Sequence, residues 1–147
     1  MNLRFAFAIN KQNQFDERFF GNADKFAIYE LVSGRLEQLF EIENEFKDDA
    51  IDDLKINEQK AESITKKLLT NDIKVIVSKQ FGENIKLVNE YFIPVKIFSD
   101  LPDDAIQAIN SHVHWIQDEL NNFRSGYKLF TIKSGILKTS IENNKII

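Results

Sequence analysis

The fold is decided by LRFAFAI (residues 3–9) and KFAIYEL (residues 25–31), two apolar runs on either side of a loop that carries FFGNA (residues 19–23). The first run is apolar at successive positions, which is typical of a central strand buried on both faces. The second run reaches the tight turn Ser33-Gly34 and then a third strand over residues 35–42. The second and third strands are joined so briefly that they must be antiparallel, and the sequence predicts a three-stranded meander.

The rest of the predicted fold alternates helices with strands. Asn57 can cap a helix that ends near Thr70, and IKVIV (residues 73–77) follows as a fourth strand. After Gly82 a short helix leads to a fifth strand over residues 95–98. Strand-helix-strand units favour parallel pairing with a right-handed crossover. We therefore predict an α/β fold with a five-stranded mixed sheet of order 3-2-1-4-5, in which strand 2 is antiparallel to the rest, and with helices on both faces.

A long amphipathic helix is predicted after Asp100, which is a plausible cap, because apolar residues then recur at spacings of three and four. Beyond this helix, residues 127–132 and 136–141 are interpreted as a possible hairpin. We expect one domain over residues 1–125 and a C-terminal extension over residues 126–147. Such an extension could cover a sheet edge or mediate oligomer formation.

The composition of the 147-residue chain limits its chemistry. It contains no cysteine, which excludes disulfides and thiolate metal ligands. Iron-sulfur clusters are usually held by cysteine with histidine as the common replacement, and the two histidines here are His112 and His114. They lie two positions apart on a predicted helix and point about 200° away from each other, so they cannot chelate one ion. We expect a structural or surface role for both.

Charge excludes a further class of function. The formal net charge of -4 argues against broad binding to nucleic acid, which needs Lys and Arg against phosphate. The strongly acidic segment over residues 41–55 is expected to be a solvated loop rather than a cation site. No secretory signal or membrane span is evident, so we expect a cytoplasmic protein that binds neither nucleic acid nor membrane.

A ligand-binding crevice is predicted where strands 1 and 4 end. These neighbours are followed by connections that leave in different directions, and open α/β sheets usually bind ligands at such a point. Residues 10–14 and 78–82 reach it. Gly82 lets the backbone approach a ligand, the helix start near Asn84 offers N–H groups to an anion, and Lys79 adds charge. The alternative is that Gly82 only turns the chain into its helix.

With FFGNA and SKQFGENI (residues 78–85), the chain resembles the dinitrogenase iron-molybdenum cofactor biosynthesis family over about residues 1–110. Its members are small carriers and accessory factors in nitrogenase cofactor assembly. In that family a first strand runs into a His-Phe-Gly-Arg-Ala-like loop, and a later strand runs into a glycine-rich loop. The resemblance implies a three-layer ribonuclease H-like fold.

Several positions depart from the family pattern. Phe19 stands where histidine is frequent and Asn22 where arginine stands, so the two positions most able to hold a metal or an anionic cofactor are changed. Ser78 and Lys79 replace a common glycine pair. Gly21 matches, and either it or Asn22 is expected to supply a left-handed turn conformation. FFGNA is therefore expected to be mainly architectural, and any surviving binding function to lie at SKQFGENI.

No catalytic residue and no metal ligand are predicted. Two-metal nuclease chemistry on a ribonuclease H-like fold needs carboxylates from strands 1 and 4, and neither predicted strand has one. Nucleophilic catalysis has no cysteine and no Ser-His-acid spacing above chance. We expect a protein that is not an enzyme.

The leading hypothesis is a carrier or accessory protein that binds a metal cluster or another anionic ligand in the crevice beside strands 1 and 4. By the resemblance, the ligand would be iron-molybdenum cofactor or an iron-sulfur precursor. The alternatives are a protein-interaction or regulatory module that has lost cluster binding, and a sensor of a small anionic metabolite. The candidate binding residues are Gln12, Gly21, Asn22, Ser78, Lys79, Gln80, Gly82 and Asn84.

Overall fold

One mixed β-sheet runs through the computed structural model, which describes residues 2–45, 58–82, 85–122, 126–133, 136–139 and 141. The described strands are β1 (Arg4–Ile9), β2 (Lys25–Val32), β3 (Arg35–Glu43), β4 (Ile73–Ser78), β5 (Ile93–Ile97), β6 (Leu129–Ile132) and β7 (Ile136–Thr139). The described helices are α1 (Glu58–Thr70), α2 (Ile85–Tyr91), α3 (Pro102–Ser111) and α4 (Val113–Asn121), with a short 3-10 turn over Phe20–Asn22.

The strands lie in the order β3-β2-β1-β4-β5-β6-β7. β2 is antiparallel to β1 and β3, whereas β1, β4, β5 and β6 are parallel neighbours. The predicted order of the first five strands and the antiparallel direction of β2 are confirmed. The number of strands predicted for the sheet is wrong, because β6 pairs with β5, and β7 pairs antiparallel with β6.

β6 joins the sheet because its alternate side chains belong to the core. Phe130 and Ile132 are buried on the same face as Val95 and Ile97 of β5. Residues 127–132 are predicted as one strand of a hairpin, and β6 and β7 do pair antiparallel. With only four residues, β6 has no period clear enough to predict that it also joins the main sheet. The segment after residue 125 thus extends the main sheet, while the division of the chain at that point stays a prediction.

β1 is buried on both faces, as predicted, and each face carries helices. Phe5 and Phe7 lie on the face covered by α3 and α4, where they share a core with Ile109 and Ile116. The alternate residues are alanines, of which Ala6 shares the opposite core. That second core includes Ile64 and Leu68 of α1 and Val88 of α2. Helices therefore cover both faces of the sheet, in three layers.

The single long helix predicted after Asp100 is wrong, since the chain forms α3 and α4 with a break at His112. His112 has φ -130° and ψ 24°, and its Nδ1 lies 2.9 Å from the carbonyl oxygen of Ala108. α3 begins after Leu101, so Asp100 is not its cap. The cap predicted at Asn57 for α1 lies outside the described residues.

No helix among the described residues combines the length and the apolar character needed to cross a membrane.

Replacing Phe7 by Ala should lower the free energy of unfolding by about 3–5 kcal/mol, because a fully buried aromatic ring would leave a cavity. The Phe7 ring is 0% exposed and packs on Tyr29 and Phe15, with centroid distances of 4.4 and 5.3 Å. Urea unfolding measures the change. The matched control is Phe40→Ala on edge strand β3, where the ring is 38% exposed. Equal losses for the two variants would contradict this account of the core.

Candidate functional site

The predicted crevice between β1 and β4 is covered by residues 15–22, here called the strap. The strap begins where Phe15 pairs antiparallel with Ile9 at the end of β1. The backbone N–H of Phe15 donates to the carbonyl of Asp100 at 2.9 Å, and the N–H of Asp16 donates to the carbonyl of Ala8 at 3.0 Å. The chain therefore folds back over the ends of the strands immediately after leaving β1.

The strap then pairs with the segment that follows β4. Phe19 forms a parallel bridge with Gln80, and the N–H of Phe20 donates to the carbonyl of Gln80 at 3.0 Å. The buried hydroxyl of Ser78 donates to the same carbonyl at 3.0 Å. The strap and the predicted glycine loop are thus joined through main-chain hydrogen bonds.

Gln12 lies in the exposed turn that precedes the strap. The side-chain oxygen of Asn10 accepts hydrogen bonds from the N–H groups of Gln12 and Gln14 at 2.9 and 3.0 Å. Asn13 takes a left-handed conformation with φ 62°, and its N–H donates to the carbonyl of Asn10. Gln12 is exposed, and its backbone helps to reverse the chain.

A partly buried ion pair between Asp16 and Arg18 lies within the strap. The carboxylate of Asp16, only 3% exposed, accepts hydrogen bonds from Nε and a terminal nitrogen of Arg18, both at 2.8 Å. Arg18 also contacts Asp24 at 3.0 Å. The hydrogen bond to Asp16 is the main cause that raises the pKa of Arg18. Charge-assisted hydrogen bonds of this bidentate form fix geometry well.

Gly82 makes room for the ring of Phe19. It has φ +63°, and a Cβ placed on it would lie 2.5 Å from two carbons of that ring. Phe19 is 3% exposed and packs on Leu87. The glycine therefore permits a close approach, as expected, but the group that approaches it is a side chain of the same protein.

Gly21 and Asn22 are buried residues that belong to the short 3-10 turn. The side-chain amide of Asn44 donates to the carbonyls of Gly21 and Ala23 at 2.9 and 2.8 Å, which anchors the turn. Neither Gly21 nor Asn22 has a positive φ, so the expected left-handed conformation is wrong. The 3-10 turn over Phe20–Asn22 redirects the chain without a left-handed residue.

Lys79 is held between two carboxylates. Its ammonium group pairs with Glu17 at 2.6 Å and also with Asp100. The amide of Gln80 adds a hydrogen bond to the carbonyl of Glu17 at 2.8 Å. Burial lowers the pKa of Lys79, but the hydrogen bonds to Asp100 and Glu17 outweigh it, so the pKa is raised. These contacts close the mouth of the crevice.

The structure brings together Ser78, Lys79, Gln80 and Gly82, and it places Gly21 and Asn22 inside the adjoining turn. Asn84 lies outside the described residues. This set does not fit iron-molybdenum cofactor or an iron-sulfur precursor. The groups are a hydroxyl, an ammonium and an amide that already bond within the protein, and the Phe19 ring fills the space over Gly82.

Both histidines lie beside the ring of Trp115. His112 lies at the α3–α4 break, and both rings contact Trp115 edge-on, with centroid distances of 5.4 Å for His112 and 6.3 Å for His114. Within the described part of the chain, no group of three or more His, Asp or Glu is arranged to hold a metal ion.

The acidic segment over residues 41–55 begins within a strand. Glu41 and Glu43 belong to β3, so the interpretation of the whole segment as a loop is wrong at its start. Glu41 pairs with Lys25 at 3.0 Å. Residues 46–55 lie outside the described residues.

Surface grooves lie elsewhere on the described residues. One of about 660 Å³ lies at the amino ends of β1 and β4 and is lined by both polar and apolar residues. Others, of about 470 and 390 Å³, lie between α1 and α2 and beside the carboxyl ends of β5 and β6. None of the described binding candidates lines any of these three grooves.

Sequence reasoning missed the residues that close the crevice, chiefly Asp16, Arg18 and Phe19. One signal was available. The supposed loop between the first two strands contains three phenylalanines, Phe15, Phe19 and Phe20. Aromatic side chains bury large apolar areas, so three of them in one loop indicate that it packs on the core.

Replacing Gly82 by Ala should lower the free energy of unfolding by about 2–5 kcal/mol, because a left-handed backbone and a clash with Phe19 are both imposed. In a Phe19→Ala background only the backbone cost remains, so a double-mutant cycle should give a coupling energy of about 1–3 kcal/mol. Gly34→Ala is the matched control, since Gly34 has φ +82° and no atom within 4 Å of an added Cβ. Additive effects at positions 82 and 19 would contradict the contact.

Replacing Lys79 by Met should lower the free energy of unfolding by about 0.2–1 kcal/mol at neutral pH, because its carboxylate partners are largely exposed. The folded pKa of Lys79 is raised above the ordinary 10.5, so the stabilisation is complete below that pH. It disappears as the pH rises through the folded pKa. Urea unfolding of both proteins across this range measures the difference, with Lys74→Met as the exposed control. A difference that persists at high pH would assign the effect to packing of the lysine stem.

No protein-family model matches this chain, and no curated protein matches it either. The resemblance to the iron-molybdenum cofactor biosynthesis family therefore stays a prediction from the loops and the order of the elements.

Proposed function

We propose that this chain is a non-enzymatic protein-interaction or regulatory module with a ribonuclease H-like fold and a crevice that binds no metal cluster. The observation that carries the proposal is the position of Phe19, whose ring lies where a ligand would approach Gly82. The strand order β3-β2-β1-β4-β5, with β2 antiparallel, supports the proposed fold. A cytoplasmic location is part of the same proposal.

Charge at the mouth of the crevice favours this function over the cluster carrier. The ammonium of Lys79 lies between the carboxylates of Glu17 and Asp100, which leaves one negative charge in excess. An anionic cluster would have to displace a carboxylate from Lys79 and then meet the remaining one. Like charges at such distances are unfavourable, so the mouth is poorly suited to an anion.

The cost of opening the crevice also favours an interaction module. A ligand would have to move Phe19 into water and break the hydrogen bond between Phe20 and Gln80. Exposing a buried aromatic side chain costs about 1.5–3 kcal/mol before any hydrogen bond is lost. The exposed rim, by contrast, is available to a macromolecular partner without rearrangement, and the half-exposed side chains of Phe98 and Leu101 lie on it.

Anaerobic titration with iron-molybdenum cofactor should show no binding at micromolar concentrations. A partner protein recovered by affinity purification and confirmed by the reciprocal purification should be recovered equally by Lys79→Met. The Lys79 side chain lies in the closed crevice, and the main-chain hydrogen bond from Phe15 to Asp100 does not depend on it. Circular dichroism should verify that this variant is folded.

Two results would replace the proposal. Stoichiometric binding of the cofactor would support the cluster carrier that the sequence suggested first. A rise in melting temperature with one compound of an anionic metabolite panel, abolished by Lys79→Met, would support the metabolite sensor.

A further inference from the structure

An exposed aromatic ring lies beside the closed crevice, in the connection between β5 and α3. Phe98 and Leu101 are each 50% exposed, although the chain devotes most of its phenylalanines to the core. They lie on either side of Asp100, which pairs with Lys79. Large apolar side chains exposed close together on a protein surface often mark an interaction site.

The ring of Phe98 is flanked by two ammonium groups. The Nζ atoms of Lys96 and Lys133 each lie 5.4 Å from the ring centroid. Within the described residues, neither lysine has a carboxylate at ion-pair distance, whereas Lys25 and Lys79 are paired. Two positive charges therefore lie together over one exposed ring, on a protein with a net charge of -4.

A groove of about 390 Å³ lies next to these residues, with Lys133 on its rim. Ile97, Ala108 and Ile132 supply its apolar part. Its carboxylate, Asp104, bonds to the hydroxyl of Ser99. An apolar side chain can enter such a groove while negative groups next to it remain near the lysines.

The surface is held in place by hydrogen bonds of the main chain. The N–H of Phe98 donates to the carbonyl of Ile132 at 3.3 Å, and the N–H of Leu101 donates to the hydroxyl of Ser99 at 3.1 Å. Little conformational entropy would therefore be lost on binding, which is the advantage of a preorganised surface.

We propose that Phe98, Leu101, Lys96, Lys133 and the adjoining groove form a docking surface for an acidic segment of a partner protein. Apolar side chains of that segment pack on Phe98 and enter the groove, and its Asp or Glu side chains pair with Lys96 and Lys133. This inference rests on the proposed interaction function and names the surface and the chemistry of the partner. We choose an acidic segment because its negative charges complement the positive charges of Lys96 and Lys133. Nucleic acid is disfavoured, because two lysines on an acidic protein displace few counterions from phosphate.

Fluorescence anisotropy of short labelled peptides tests the surface. The probe alternates Glu with Leu and Trp. One control peptide has Lys in place of Glu, and the other keeps Glu and replaces Leu and Trp by Ser. The probe should bind about tenfold more tightly than either control, and its affinity should fall as salt is added.

The double variant Lys96→Glu/Lys133→Glu should lose at least about tenfold in affinity for the probe, as should Phe98→Ser. Lys11→Glu/Lys74→Glu is the matched control, because it changes the net charge equally at two exposed lysines elsewhere. The control double variant should retain the affinity. Circular dichroism and urea unfolding verify that each variant folds.

Equal losses of affinity in the two double variants would contradict the proposed docking surface. So would equal affinities for the probe and the control peptides. So would tighter binding of a single-stranded oligonucleotide, or dimer formation through Phe98 detected by sedimentation. These failures differ from failure of the proposed function. A confirmed partner that still binds Lys96→Glu/Lys133→Glu would contradict only the docking surface. Stoichiometric binding of iron-molybdenum cofactor would contradict the proposed interaction function.

Discussion

The contact between the ring of Phe19 and the backbone of Gly82 constrains the whole carboxyl edge of the sheet. It sets the depth at which the strap lies, and the main-chain bond between Phe20 and Gln80 depends on that depth. With the strap in place, Glu17 comes within reach of Lys79. A position that open α/β sheets commonly use for ligands is occupied here by the protein's own aromatic side chain.

The lysines on this edge have two different environments. Lys79 is satisfied by carboxylates of the protein and serves to close the crevice. Lys96 and Lys133 lie over an exposed ring, and neither has a carboxylate at ion-pair distance in the part of the chain that the structure describes. One point of the edge is therefore closed by the protein's own charged groups, while two ammonium groups lie over an exposed ring a few residues away.

The order of the first five strands followed from the sequence because β1 is apolar on both faces and because the connections between strands are short or helical. The break at His112 could not be predicted, since Ile109 and Ile116 are seven positions apart and keep the apolar stripe continuous through it. β6 was too short to be assigned to the sheet. At the site, the sequence predicts that Gly82 either lets a ligand approach or only turns the chain, whereas the group beside it is the ring of Phe19, which is distant in sequence. The contacts of Asn44 with Gly21 and Ala23 depend on tertiary packing, which no local pattern encodes.

Asp100 lies between the closed crevice and the exposed residues Phe98 and Leu101. Its carbonyl accepts a hydrogen bond from the first residue of the strap, its carboxylate pairs with Lys79, and it lies between Phe98 and Leu101 in the chain. Any ligand that orders this connection also suppresses the opening of the strap, and thermodynamic reciprocity requires the converse. The amide of Phe15 thus ties the strap to a surface that this residue does not itself form.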